Sequence, residues 1–301
     1  MQKNYRELLK KLVVPAPQSH KGQNGKLLII GGSELFHVAS KWSLDVASRF
    51  VDMVFYASVP SNNQLIKEAK SNFWNGIVID RSEVPAYIEE ADCILIGPGM
   101  LRTSDSSVGG AVGKEWPLDQ ETWNTDTKAI TDSLLARYPN KKWVIDAGAL
   151  QMVDPKLLNQ NCLITPHAQE IQVLAKKLNI EIPSDPSDLD LQMFSSRLQG
   201  ATILLKGSTD LIADRIKSQA IEGGNPGMTK GGTGDVLAGL AAGLYATSDI
   251  WTSAVTASLV NKKAGEALAK QVGPFFNASD LASIIPGVIW QLYQEARDRT
   301  V

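Results

Sequence analysis

The 301 residues predict an α/β protein: a mostly parallel, doubly wound sheet with helices on both faces, in three α/β/α layers. Two observations carry that expectation. Short, continuous apolar runs recur along the chain, and runs of that kind belong to parallel strands buried on both faces. Helical stretches separate most of them, an alternation that implies right-handed crossovers within one sheet. Ligands in such sheets collect at the carboxyl ends of the strands, so the residues just after each run are the candidates for function.

In order, the strands are Lys26 to Ile30, Met53 to Ala57, Gly76 to Ile79, Cys93 to Ile96, Trp143 to Ile145, Cys162 to Ile164 and Thr202 to Leu205. Ala201 to Asp214 reads as two strands around a Gly207-Ser208 turn. Before the first strand, Tyr5, Leu8, Leu9, Leu12 and Val13 share one face of a helix within Met1 to Val14, which Pro15-Ala16-Pro17 ends. Ala39 to Phe50, Ala129 to Tyr138 and Ala168 to Leu178 are helices between strands. Trp251 to Lys270 and Ser283 to Gln294 are helices that follow the last strand. There is no internal repeat, low-complexity tract or linker, so residues 1–301 are expected to form a single domain.

Composition narrows the function classes. A formal net charge of −2 gives no electrostatic case for nucleic acid or an acidic membrane surface, and no apolar run approaches a membrane span. Cys93 and Cys162 each open an apolar run and read as buried thiols of a reducing, cytoplasmic compartment.

The stretch with the most chemistry is Gly223-Gly224-Asn225-Pro226-Gly227-Met228-Thr229-Lys230-Gly231-Gly232-Thr233-Gly234-Asp235, followed by a helix that is apolar or small at nearly every position. Gly231, Gly232 and Gly234 leave the start of that helix free of side-chain bulk, while Gly239 and Gly243 allow close packing one turn apart. A helix start presents unpaired N–H groups and the positive dipole end, an anion cradle. Asp235 stands in the same first turn, where the dipole favours its ionised form. A carboxylate beside an anion cradle suits phosphoryl transfer, taking a hydroxyl proton while amides hold the migrating group.

Other strand ends add candidates. Gly97-Pro98-Gly99 either admits a ligand close to the backbone or simply ends its strand. Asp146 ends the Trp143 strand, to hold a magnesium–water shell or to cap a turn. Thr165-Pro166-His167 opens the next helix: Thr165 suits its N-cap and Pro166 its first position, which leaves His167 as a ligand contact or a surface histidine. Lys206 ends a strand on the ligand side, placed to meet a phosphate. Arg102 to Thr127 is a long polar segment, a candidate flap or oligomer contact. Within it, Gly113-Lys114 is not a phosphate-binding P-loop, because Glu115 stands where Ser or Thr must bind magnesium.

Gly231-Gly232-Thr233-Gly234-Asp235 resembles the Gly-x-Gly-Asp signature of ribokinase-like proteins, and the upstream Gly224-Asn225-Pro226-Gly227-Met228 is most similar to the NAD(P)H-hydrate dehydratase branch. The resemblance spans roughly residues 20 to 290 and includes Thr165-Pro166-His167, Leu205-Lys206-Gly207 and Gly97-Pro98-Gly99. It implies a ribokinase-like enzyme that restores NADH or NADPH from the S epimer of its hydrate at the expense of ADP or ATP, ADP preferred, with Mg2+. Asp235 would be the catalytic base. Ala39, Gly99, His167 and Asp235 would meet the hydrate. Lys206, Gly207, Ser208, Thr209, Asp210, Gly231, Gly232, Thr233 and Gly234 would meet the nucleotide. A homo-oligomer, a tetramer by the same resemblance, and a separate epimerase acting on the same metabolite complete the expectation. Two positions depart from the pattern: Val38 and Leu101 stand where the family usually has glycine. Two rivals remain. One is a kinase of the same fold acting on a hydroxymethylpyrimidine, pyridoxal or thiazole alcohol; the other is a nucleotide sensor without turnover.

Overall fold

The computed structural model describes residues 3–68, 75–102 and 117–298. Nine strands build one sheet in the order β3-β2-β1-β4-β5-β6-β7-β8-β9. They are β1 (Lys26–Ile30), β2 (Met53–Ala57), β3 (Ile77–Ile79), β4 (Cys93–Ile96), β5 (Lys142–Ile145), β6 (Cys162–Ile164), β7 (Thr202–Leu205), β8 (Asp210–Ala213) and β9 (Ser218–Ile221). Strands β1 to β7 pair in parallel, whereas β7–β8 and β8–β9 are antiparallel. The seven apolar runs are therefore β1 to β7, and the hairpin's second arm is β8. Strand β9 was not expected, because Ser218-Gln219-Ala220-Ile221 lies on the sheet's edge with only Ile221 buried. Edge strands carry polar residues and lose the apolar signal.

Twelve helices surround the sheet among the described residues: α1 (Lys3–Lys10), α2 (Ala39–Ala47), α3 (Pro60–Glu68), α4 (Val84–Glu90), α5 (Gln120–Thr125), α6 (Thr127–Arg137), α7 (Ala147–Met152), α8 (Ala168–Lys177), α9 (Asp188–Arg197), α10 (Thr233–Thr247), α11 (Ile250–Val272) and α12 (Ala278–Asp298). Alternation along each strand divides the core in two. Leu27, Ile29, Leu95 and Val144 face α2, α10, α11 and α12, with Leu9 of α1 in the same cluster. Leu28, Ile30, Ile94, Ile96 and Ile145 face the other layer, where α4, α6, α8 and α9 pack. This is the three-layer arrangement expected. Of the long polar segment, residues 103–116 lie outside the described residues, as does Gly113-Lys114; residues 117–127 contain α5, whose Trp123 is buried.

Helix α10 is the inner helix of its layer, and small residues let it sit there. A Cβ at Gly239 would lie 2.5 Å from both Cα and O of Ser43 on α2, so the two backbones touch at that point. At Gly243 the nearest atoms are farther, Phe50 Cβ at 3.3 Å and Ala47 Cα at 3.4 Å. The packing brings the N-terminal turn of α10 to the carboxyl ends of the central strands. Strand order reverses at β1, which lies between β2 and β4. The crevice beyond such a switch point is where an open α/β sheet takes its ligand.

Candidate active site

Two glycine loops form the floor of that crevice. Gly31 and Gly32 follow β1, Gly97 and Gly99 follow β4, and a backbone hydrogen bond from Gly32 N–H to Pro98 O joins them at 2.7 Å. Gly97 has φ of 122°, and a Cβ there would strike Asp146 O at 1.8 Å, so only glycine fits. A Cβ at Gly99 would come within 3.1 Å of Ala39 Cβ. Two of the four residues expected to meet a hydrate thus adjoin each other, with the exposed Leu35, Phe36 and Val38 in the preceding loop. Val38, in place of the usual glycine, is the N-cap residue of α2, with a helical backbone that any residue adopts.

Behind this crevice stands a buried ion cluster. The Lys206 ammonium donates to Asp146 Oδ1 at 2.8 Å and lies 4.0 Å from Glu170 Oε2. Asp146 is held in turn by the Thr165 hydroxyl, which donates to the same oxygen at 2.8 Å. Burial alone would lower the Lys206 pKa, but Asp146 and Glu170 overrule it and hold the ammonium above its ordinary value. The Asp235 carboxyl faces the same charges. Its pKa is pushed from 3.8 up to about 7, first by burial, then by Asp146, with Lys206 opposing. The sequence reading named only the helix dipole, which favours the ionised form. The dipole acts, but removal from water and a neighbouring carboxylate outweigh it. A carboxylate poised near neutrality is a better general base than an ordinary one.

A cavity of about 590 Å³ opens on the other side of Lys206. Its wall includes Lys206, Gly207, Ser208 and Asp210 of the β7–β8 turn, Gly223 to Pro226 and Met228, and Thr233 and Gly234 at the head of α10. The space beside Gly234 is open: a Cβ there would meet only Lys206 Nζ, at 3.5 Å. Gly231 is open as well, but Gly232 is not. Its φ is 94°, and a Cβ would collide with the Trp42 ring at 2.3 Å, so Gly232 shapes the turn instead of lining a cradle. Thr233 fixes that turn by donating its hydroxyl to Met228 O at 2.6 Å and Lys230 O at 2.9 Å. Thr209, Gly231 and Gly232 fall outside the cavity wall, as do Ala39, Gly99 and Asp235. Contacts connect some of these positions: Ala39 adjoins Gly99, Gly97 adjoins Asp146, Asp146 pairs with Lys206, and Lys206 lies beside Gly234. A larger cavity of about 860 Å³ lies between β9, α11 and α12 and holds none of the expected residues. The smaller one has the helix terminus and the buried ammonium, the features that bind anions.

His167 corrects the sequence reading. It, not Thr165, is the N-cap of α8, with Nδ1 accepting from Gln169 N at 3.1 Å and Glu170 N at 3.4 Å. Glu170 completes the capping box by accepting the His167 N–H at 2.9 Å. Structure therefore does explain a histidine here. Because Nδ1 accepts, the ring proton sits on Nε2, 3.6 Å from Glu170 Oε1, and the residue also borders the cavity. Backbone pairing places the motif: Lys206 N–H donates to Pro166 O at 2.8 Å, extending β6–β7 by one bridge.

Some working residues gave no sequence signal beyond position. Glu170, in the first turn of α8, braces both His167 and Lys206. Lys262, a lysine in mid-helix, donates to Gly207 O and Ser208 O at 2.9 Å and pairs with Asp210 Oδ1 at 3.2 Å. The Asp210 carboxylate, expected to meet nucleotide, also accepts from Gly207 N and the Ser258 hydroxyl, so it holds the turn in shape. Arg81 is buried below the crevice and donates to the carbonyls of Gly31, Gly32 and Trp123. No cluster of three His, Cys, Asp or Glu able to cage a metal occurs among the described residues. A magnesium ion that arrives on phosphates needs only one or two carboxylates and water; Asp146, the candidate from the sequence, is buried with its Oδ1 engaged by Lys206 and Thr165.

Comparison with known proteins fits this geometry. A sequence profile described as NAD(P)H-hydrate dehydratase matches residues 27–287. The chain is 34% identical over 279 residues to the ADP-dependent (S)-NAD(P)H-hydrate dehydratase of Cenarchaeum symbiosum, covering 90% of each chain. It is 32% identical over 278 residues to the bifunctional NAD(P)H-hydrate repair enzyme of Methanocaldococcus jannaschii, covering 90% of this chain but 49% of that protein. The chain thus spans about half the length of the bifunctional relatives and most of the length of the others. In fold it is similar to a ribokinase-like superfamily protein from Enterococcus faecalis, with a TM-score of 0.75 at 22% identity over 95% of this chain and 94% of that one. It is also similar to the ADP/ATP-dependent NAD(P)H-hydrate dehydratase of Bacillus subtilis, co-crystallised with ATP and Mg2+, with a TM-score of 0.69 at 20% identity over 96% and 97% of the two chains. A profile match over most of the chain, to a ribokinase-like sheet with Asp235 at its switch-point crevice, places the protein in the NAD(P)H-hydrate dehydratase family.

Proposed function

We propose that this chain, acting as one ribokinase-like unit, dehydrates the S epimer of NADH or NADPH hydrate back to the reduced cofactor, with ADP as the preferred phosphoryl donor. The observation that carries the reading is the Asp235 carboxyl, its pKa raised to about 7 beside the half-buried Lys206 at the head of a glycine-lined helix. The nucleotide lies in the cavity of about 590 Å³, with its terminal phosphate between Gly234 and Lys206. The hydrate lies in the Ala39–Gly99 crevice, with its ring hydroxyl against Asp235 and its nicotinamide end towards His167.

Asp235 takes the hydroxyl proton as that oxygen attacks the terminal phosphorus of ADP and the bond to AMP breaks. Lys206 and the amides of the first turn of α10 balance the charge that moves. The ring nitrogen then pushes out phosphate, and loss of a proton from the adjacent ring carbon gives the dihydropyridine. Phosphorylation converts hydroxide, a poor leaving group, into phosphate, a good one. Magnesium would be held by the nucleotide phosphates with Asp146 through water, where it supplies charge neutralisation. The two free cysteines are buried, in keeping with a reducing cytoplasm, and no helix among the described residues is long and apolar enough to cross a membrane. A homotetramer and a separate epimerase belong to the same reading.

The test mixes protein, hydrate, magnesium and either ADP or ATP. Recovery of reduced-nicotinamide absorbance with one free phosphate per turnover supports the dehydratase. A stable phosphoester of a pyrimidine, pyridoxal or thiazole alcohol, with no action on the hydrate, replaces it with the kinase. Binding without any turnover favours the sensor.

A further inference from the structure

Helix α11 lines the nucleotide cavity with Asn261 and Lys262, and Ser258 and Gly265 share their face at helical spacing. Three of these are engaged by the protein. Ser258 donates to Asp210, Lys262 donates to Gly207 and Ser208, and Gly265 packs against Met228, where an added Cβ would come within 2.3 Å of the sulfur. Asn261 is different. It lines the cavity and is 4% exposed, yet its buried Oδ1 has no hydrogen-bond partner. A buried acceptor left alone costs folding free energy, and at a cavity wall a ligand can supply the missing donor.

The chemistry of the atom narrows what that ligand group is. An amide oxygen accepts hydrogen bonds and donates none. Phosphate oxygens at neutral pH also accept, so they are poor partners for it, and they are served by Lys206 and Gly234. The nucleoside part of a nucleotide carries the donors, namely the ribose hydroxyls and the exocyclic amine of adenine. We infer that Asn261 Oδ1 accepts a hydrogen bond from a nucleoside donor, the adenine amine or a ribose hydroxyl, and so makes α11 the surface that reads the nucleoside while α10 holds the phosphates. This rests on the cavity being the nucleotide site.

Titration calorimetry on the full chain separates the possibilities, with ADP, 2′-deoxy-ADP, 3′-deoxy-ADP and the diphosphate of purine riboside, which lacks the amine. Asn261→Leu should weaken ADP about tenfold, the size of one buried hydrogen bond. The wild type should lose a similar factor towards one of the three analogues, and Asn261→Leu should show no further loss towards that one. Which analogue behaves so identifies the donor. The thermal midpoint of the free protein should hold or rise in Asn261→Leu, because an unpaired acceptor has been removed. A clear fall in that midpoint, equal weakening towards all four ligands, or ADP binding within twofold of wild type would each overturn the inference. Gly234→Val serves as the control for the site. Its loss of ADP binding alongside a silent Asn261→Leu overturns only the inference, whereas retained binding overturns the nucleotide site and the inference with it.

Discussion

Replacing Asp235 by Asn should make the protein more stable and less active, and the stability gain should have a particular pH signature. Folding raises the carboxyl pKa from 3.8 to about 7, through burial first and Asp146 second. Between those two pH values the unfolded chain has released this proton and the folded protein has kept it. Stability from this group is therefore complete below pH 3.8, falls as pH rises, and is lost once pH passes about 7. At about 1.4 kcal/mol per pH unit the full loss is about 4 kcal/mol. Asn cannot ionise and keeps nearly the same shape, so the variant escapes the loss. Urea unfolding of both proteins from pH 4 to 9 should give equal stabilities near pH 4. The difference should then grow by about 1.4 kcal/mol per unit and level off above pH 7, as other titrating groups cancel. Turnover should fall by about 10² to 10⁴, while in the wild type kcat/KM should climb with pH and flatten above about 7. A stability difference that stays below 1 kcal/mol at pH 9, or that is largest in acid, would refute the electrostatic account. Near-normal turnover would remove Asp235 from the chemistry.

Further substitutions test other parts of the site. Gly234→Val should abolish ADP binding by calorimetry with the fold retained by circular dichroism, since only Lys206 Nζ stands near the added Cβ. His167→Ala should cost about 1 kcal/mol of stability as the cap of α8 is lost. His167→Asn should recover that stability without recovering the hydrate KM, because only the imidazole offers Nε2–H to the substrate; an unaltered KM in both variants excludes the contact. Lys262→Met should cost about 3 kcal/mol by stranding the buried Asp210 carboxylate, and Asp210→Asn on the same chain should recover part of it. Gly239→Ala should destabilise by about 1–3 kcal/mol because α2 backbone lies in the way, whereas Gly243→Ala should be close to neutral in the same unfolding assay.

The sheet was legible because a strand buried on both faces has little choice of residues. Leu27-Leu28-Ile29-Ile30 and Cys93-Ile94-Leu95-Ile96 feed both core clusters, and alternation between the clusters appears only in three dimensions. Strand β9 was not legible, since an edge needs no apolar run. Within the site, the glycine signature could be read, because Gly232 needs a left-handed φ and a bare α-carbon against Trp42. The role of His167 could not be read in full. A capping box is expected from Ser or Thr, and only the structure shows an imidazole nitrogen in that part. The environment of Asp235 could be read only in part. The dipole that favours its charge follows from position in the helix, while the burial and the Asp146 charge that oppose it come from elsewhere in the chain.

Those departures gather at one place. Ala147, directly after Asp146, has φ of 46°, a left-handed conformation that an L-residue adopts only under constraint. The constraint is visible: Asp146 is tied to Thr165 and Lys206, Gly97 presses on its carbonyl, and Gly148 lies where a Cβ would meet Met100 O at 2.1 Å. A strained residue, a carboxyl forced towards neutrality, a lysine held by two acids and an amide without a partner all belong to one crevice and the cavity beside it. On the proposed reading, substrate binding satisfies three of these together: phosphates supply charge to Lys206, a hydroxyl supplies a proton to Asp235, and a nucleoside supplies a donor to Asn261.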